Sequence, residues 1–291
     1  MGDTTTVPDS AGEFTESAAS VAGLDEVLWD TISTAVLLRS HPQFDERVLD
    51  AYARDGASAL PTAELVGIGG LVDAVEPMAS LVELARERAG ERMPQLQLHV
   101  ADPAGWEPDG YDLVQCVLGI AAFDDVTAGM RHLVDRAQPG GRVVIAVWAR
   151  DSLDPLPGLL AAAAGGSAAA GGSAAAGESD EEPEEGADEE SDGAAEPPHT
   201  VVAADTAGSL AHWLTELGLV DVRAEAVQRH VDLTPEVAWL LVQGTGLHGL
   251  VDGLDESELD TVRERYLRAI ADADVHAVDA TTIIAVGRRP A

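Results

Sequence analysis

Three acids stand at comparable places in this chain: Asp50, Glu76 and Asp102 each lie at or just past the end of a short apolar run, RVLDA (47–51), LVDAV (71–75) and LQLHV (96–100). If those runs are strands of one parallel sheet, the acids sit at carboxyl ends, where open α/β sheets bind ligands in the crevice at which strand order reverses. Other chemistry-bearing residues fit their surroundings without a catalytic role. The eight histidines show no HxH or HExxH spacing, so no metal site is expected. Cys116 lies inside the apolar run YDLVQCV and reads as core. VGIGG (66–70) neither follows a strand nor opens a helix, as a phosphate loop must, and is read as a helix cap and turn. Trp213 and Trp239 are read as core anchors.

The elements that would position these acids alternate regularly. Strands are expected at 47–51, 71–75, 96–100, 111–117 and 141–148, and helices at 58–66, 79–89 and 126–137. Alternation at this interval implies right-handed βαβ crossovers. QPGG (138–141) is read as the turn that launches the fifth strand. A helix is expected ahead of them at 25–38. Later come a helix at 207–217, a strand at 220–228, a helix opened by Thr234-Pro235 that passes Trp239, another at 256–271, and a closing strand at 281–289 that inserts antiparallel. The fold expected is therefore α/β, a doubly wound sheet.

Composition divides the chain. Residues 1–22 are polar and aperiodic, an expected disordered tail. Residues 161–198 hold GGSAAA twice and then an acidic run in which 178–196 carry eleven acids and no base. Gly, Ala, Ser and acids cannot build a core, so this segment is expected to be a disordered insertion dividing one domain into 23–160 and 199–291.

The charge is −35, from 52 acids against 17 bases, and every base is Arg. Such a field opposes nucleic acid and anionic lipid. It suggests the acidic proteome of a halophile, where salt screens the charge. One cysteine excludes an intramolecular disulfide, no run approaches a membrane span, and the N-terminus has no signal-peptide pattern; a cytoplasmic protein is expected.

In order, ERVLDAYARDG, GGLVDAVEPMASLVELARERA, LHVADPAGW, YDLVQCVLGIAAFDDVTAGMRHLVDRAQPGGRVVIAVW, LTELGLVDVRAEAV and TTIIAVGRRP resemble the class I S-adenosylmethionine-dependent methyltransferases. The likeness is to the ubiquinone/menaquinone-biosynthesis type of domain (methyltransferase types 11 and 25), and spans 44–149 and 208–289. The resemblance implies a seven-stranded, mostly parallel Rossmann-like sheet, S-adenosylmethionine as cofactor and a small-molecule methyl acceptor. By position it gives Glu76 to the ribose hydroxyls and Asp102 to the adenine amino group. Pro77, Met78 and Leu118 would flank the ring, and Asp50 and Gly56 belong to the first loop, Asp50 either as a ligand or as support. No catalytic side chain is implied, since methyl transfer rests chiefly on proximity and alignment. The insertion falls where the family places cap elements over the substrate, and Trp239 lies in the helices resembling that region.

The first loop departs from the pattern. Where the family reads VGCGTG, this chain reads Ala51-Tyr52-Ala53-Arg54-Asp55-Gly56. The glycines let backbone approach the cofactor, so Tyr52 and Arg54 are expected to obstruct the pocket or redirect the loop, unless Arg54 pairs with the methionine carboxylate. Loss of catalysis, leaving a binding or assembly module, is the alternative this loop raises.

Overall fold

The computed structural model describes residues 23–168 and 204–291. The expected tail at 1–22 and residues 169–198 of the expected insertion lie outside them. A π-type stretch, Asp25–Trp29, leads into α1 (Asp30–Ser40). There follow β1 (Arg47–Ala51), α2 (Ala59–Val66), β2 (Leu71–Glu76), α3 (Ala79–Ala89), β3 (Leu96–Val100), β4 (Tyr111–Val117), α4 (Val126–Arg136) and β5 (Ala137–Trp148). After α5 (Leu156–Ala168) come α6 (Ala207–Glu216), β6 (Val220–Val227), β7 (His230–Asp232), α7 (Pro235–Gly244), α8 (Glu256–Asp272), β8 (Ala277–Asp279) and β9 (Thr282–Arg288).

Seven strands form one sheet in the order β3-β2-β1-β4-β5-β9-β6. β1 to β5 are parallel, and β9 enters antiparallel between β5 and β6. Strand order reverses between β1 and β4, which are parallel neighbours (Leu49 beside Val114), so the switch point lies there.

The central strands alternate strictly between two cores, the period of two that a sheet covered on both faces demands. Val48, Val144, Ala146 and Ile284 face one layer with α1, α2, α5, α7 and α8. Leu49, Cys116, Val143, Ile145, Ile283 and Ala285 face the other, with α4 and α6.

Three details differ from the sequence reading. QPGG does not precede β5 but is a bulge within it, since Tyr111 pairs with Ala137 and Leu113 next with Arg142. α5 continues past 161 to Ala168, with Leu156, Leu160 and Ala163 buried; packing outweighs the helix cost of its glycines. β7 and β8 form a two-stranded ribbon that was not anticipated, because three residues are too few to show a period.

One buried acid fixes where the first loop leaves the sheet. Asp50 is 0% exposed. Its Oδ2 accepts from Ser58 Oγ at 2.6 Å and from Gln115 Nε2 at 3.0 Å, tying β1 to the turn before α2 and to β4. Asp50 Oδ1 and Gln115 Oε1 are both buried without a hydrogen-bond partner among the described residues. Burial dominates and raises the Asp50 carboxyl from 3.8 to about 6 despite those two donors. The folded chain thus keeps a proton that the unfolded chain loses lower, so this contribution to stability is full below about pH 4 and is lost as pH rises through about 6. Asp50→Asn removes the charge and places a donor where Oδ1 has no partner. It is expected to stabilise the fold by roughly 2–3 kcal/mol at about pH 8 and by little at about pH 4. Urea unfolding of both proteins at the two pH values measures the difference; an equal or larger gain at the acid end contradicts it.

Candidate functional site

The loop leaving β1 keeps a glycine-type path with non-glycine residues. Tyr52 and Arg54 have φ of 56° and 53°, and Gly56 has 86°. A left-handed backbone costs a non-glycine residue about 1–2 kcal/mol, so neighbouring contacts must impose it. Ala53 N donates to Val75 O at 3.2 Å, and Arg54 N donates to Glu76 Oε2 at 3.0 Å. Gly56 has a packing role as well, because a Cβ there would lie 2.0 Å from Leu60 Cδ1.

Glu76 ends β2 and is 4% exposed. Its second oxygen accepts from Met78 N at 3.0 Å, so both oxygens are held by backbone amides. Burial raises its pKa, and the Met78 and Arg54 amides oppose that rise. Ala101 N donates to Glu76 O at 3.1 Å, which brings the end of β3 alongside. Asp102 is exposed, and its Oδ1 caps the short turn Pro103–Gly105 through Ala104 N at 2.9 Å. Pro77 and Met78 are exposed, and Leu118 is half-buried with φ of 56°. Glu76, Pro77, Met78, Asp102 and Leu118 therefore share the carboxyl edge, as the resemblance implies. Asp50 does not join them: it is enclosed beneath the loop and serves as its support.

Tyr52 and Arg54 part company. The Tyr52 side chain is 8% exposed and lies at the switch point. Its ring meets Phe123 edge-on at 5.0 Å, and its hydroxyl donates to Ala122 O at 3.4 Å. Burial holds its phenol above the ordinary range, and Asp102, Cys116 and Glu76 add to the rise. The ring thus stands among the strand-end acids. Gly119 makes the space, since a Cβ on it would come within 2.6 Å of Tyr52 Cβ. Arg54 instead sets its guanidinium 5.0 Å from the Trp29 ring, on the segment before α1. That cation–π contact takes it away from the pairing proposed for a cofactor carboxylate.

Behind the loop, Arg88 on α3 bridges two buried acids. It pairs with Asp55 and, at 2.8 Å, with Asp25. Burial and the neighbouring Asp55 raise Asp25 to about 6 in spite of Arg88. These ties join the N-terminal segment, the first loop and α3. Sequence patterning did not show Trp29, Arg88 or Phe123 as partners of the loop, because no local period links residues so far apart.

The remaining candidates are structural. Gly67 N closes α2 on Ala63 O at 3.2 Å with φ of 68°, so VGIGG is a helix cap and turn. Cys116 is fully buried, and burial keeps its thiol protonated. Trp213 and Trp239 are buried, the latter 6.5 Å from Tyr266 and under Arg263. Among the described residues no group of three or more His, Cys, Asp and Glu gathers to hold a metal, and no helix is long and apolar enough to cross a membrane.

The edge fits an adenosine-bearing cofactor in its backbone and in part of its side chains. The left-handed loop, the acid ending β2, and the exposed Asp102 and Met78 are of the right type. The Tyr52 ring is not, since it is buried at the switch point against Phe123 and Gly119.

No family model and no curated protein matches the chain. Solved structures do. A candidate methyltransferase from Bacillus halodurans C-125 superposes with a TM-score of 0.55 at 14% identity, covering 89% of this chain and 99% of that one. Phosphoethanolamine N-methyltransferase 2 of Haemonchus contortus, solved with phosphomonomethylethanolamine and S-adenosylhomocysteine, gives 0.51 at 13% identity, covering 94% and 58%. The cyclase SpnF gives 0.51 at 14% identity, covering 90% and 80%. A likeness at this level of identity establishes architecture, and with the strand order above it places the chain in the Rossmann-like fold of the class I S-adenosylmethionine-dependent methyltransferases.

Proposed function

We propose that this protein binds S-adenosylmethionine at the carboxyl edge of its sheet and directs its methyl group to a small-molecule acceptor. The observation that carries the reading is the strained loop: Tyr52, Arg54 and Leu118 all hold left-handed backbone around one crevice. Strain of that kind persists where surrounding contacts over-determine it, and it gathers at ligand sites. The likeness to methyltransferase structures supports the same reading.

In this reading Glu76 accepts from ribose hydroxyls, its carboxylate already aimed by the Arg54 and Met78 amides. Asp102 accepts from the adenine amino group, and Met78 and Leu118 flank the ring. The bound cofactor supplies an electrophilic methyl group. The chain supplies alignment and exclusion of water, for which a general base is not required. The charge of −35 favours a neutral or cationic small acceptor over a polyanion.

A second reading, a cofactor-free binding or assembly module, has one specific observation in its favour: the buried Tyr52 ring stands at the switch point, where the family pattern has glycine. Titration calorimetry with S-adenosylmethionine and S-adenosylhomocysteine in molar salt decides between them. Saturable one-to-one binding is expected; heat of dilution alone at millimolar ligand would leave only the module. Within the first reading, Asp102→Ala is expected to weaken binding by about ten-fold, the worth of one hydrogen bond to a charged acceptor. Because Asp102 is exposed and caps only a short turn, its melting temperature is expected to stay within a few degrees of the parent; unchanged affinity would remove Asp102 from the site.

A further inference from the structure

The side chain that closes the crevice is unlike a core residue in three ways. Its backbone is in the left-handed region, with φ of 56°. Its hydroxyl donates to Ala122 O at 3.4 Å and also faces the exposed Asp102 carboxylate, not a buried core partner. Its ring is accommodated by a missing Cβ at Gly119, whose own φ of −98° any residue can adopt. The loop beneath it does not depend on the ring, since the Ala53 and Arg54 amides and the Asp50–Ser58 bond fix the backbone independently.

We propose that Tyr52 is a displaceable aromatic stopper: its ring occupies the place of the cofactor's amino-acid end, between the ends of β1 and β4, and binding requires it to swing out past Phe123. This rests on the function proposed above. The closed form then competes with the ligand, and apparent affinity falls by the fraction of molecules that are open. Opening leaves the loop backbone unchanged and gives up the edge-on Phe123 contact and the hydroxyl's bonds, and a ten-fold penalty corresponds to about one molecule in ten being open.

The test is S-adenosylhomocysteine affinity, read by calorimetry on the full chain in molar salt, for the parent and three variants. Tyr52→Gly removes the ring and relieves the left-handed strain; it is expected to bind at least about ten-fold more tightly than the parent. Tyr52→Ala removes the ring and keeps the Cβ that Gly119 already accommodates, and is expected to shift affinity in the same direction, which keeps the idea testable if Tyr52→Gly folds poorly. Tyr52→Phe keeps the ring and is expected to bind within about three-fold of the parent. Hydrogen exchange gives a second readout: without ligand, the 52–56 amides of Tyr52→Gly are expected to stay as protected as the parent's, because the loop is held by other bonds. Equal affinity of the parent and both ring-clearing variants overturns the stopper and leaves the proposed function standing. Absence of binding in every folded variant overturns both.

Discussion

The turn out of β1 is the constraint on which the rest of this site depends. Seven residues, 52–58, must leave the sheet, reverse and enter α2 in a space bounded by β2 and β4. The chain does this with left-handed backbone at 52, 54 and 56. Glycine would make such a path cheap; Tyr52 and Arg54 make it costly, so it must be held from outside. The holders are a carboxylate on each side. Asp50 anchors the departure through Ser58 and Gln115, and Glu76 receives the amide of Arg54. Neither acid has a basic side chain bonded to its oxygens. Both therefore have raised pKa values, and ionisation at this edge opposes burial.

That economy of cations runs through the chain. With 17 arginines against 52 acids, part-buried arginines hold buried or part-buried acids. Arg88 joins Asp25 and Asp55, and Arg142 pairs with Glu46 across the sheet. The surplus acids lie outward, where solvent and salt screen them. Two of the buried acids, Asp50 and Glu76, stand at the edge of the sheet, where hydrogen-bond donors from loop amides, Ser58 and Gln115 compensate for missing positive charge. A surface tuned for charge thus leaves the crevice governed by hydrogen bonds and apolar contacts, chiefly Tyr52, Phe123, Met78 and Leu118.

How much of this was legible follows from the range of each interaction. The parallel strands and their terminal acids were, since each strand carries its own apolar run and Glu76 and Asp102 fall at its end. The antiparallel entry of β9 was too. Asp50 looked like a member of the same series, but its neighbours Ser58 and Gln115 turn it inward, and Gln115 is 65 residues away. Tyr52 was visible as an anomaly where glycine is usual, yet whether it filled or left the crevice was not. Its partners Ala122 and Phe123 lie some 70 residues on, and the room for its ring is an absent side chain at Gly119. Arg54, the other anomaly, went the opposite way because Trp29 lies behind it. Local pattern sets which elements exist; contacts between distant elements set where an unexpected side chain goes.

Architecture by itself does not choose among chemistries. The same fold, at nearly the same similarity, is found in an N-methyltransferase and in the cyclase SpnF. What distinguishes one use from another is the content of the crevice at the switch point. In this chain that content is a left-handed tyrosine packed on Phe123 and a buried acid held by two backbone amides, bordered by an exposed acid and an exposed methionine. A permanently inert module would gain from relaxing Tyr52 to a right-handed or extended backbone, since nothing would be served by the strain. A cofactor site needs the left-handed path, and so retains the strain whichever residue bears it. Under the proposed function the backbone path serves ligand binding, and the Tyr52 side chain sets the condition on which the ligand enters.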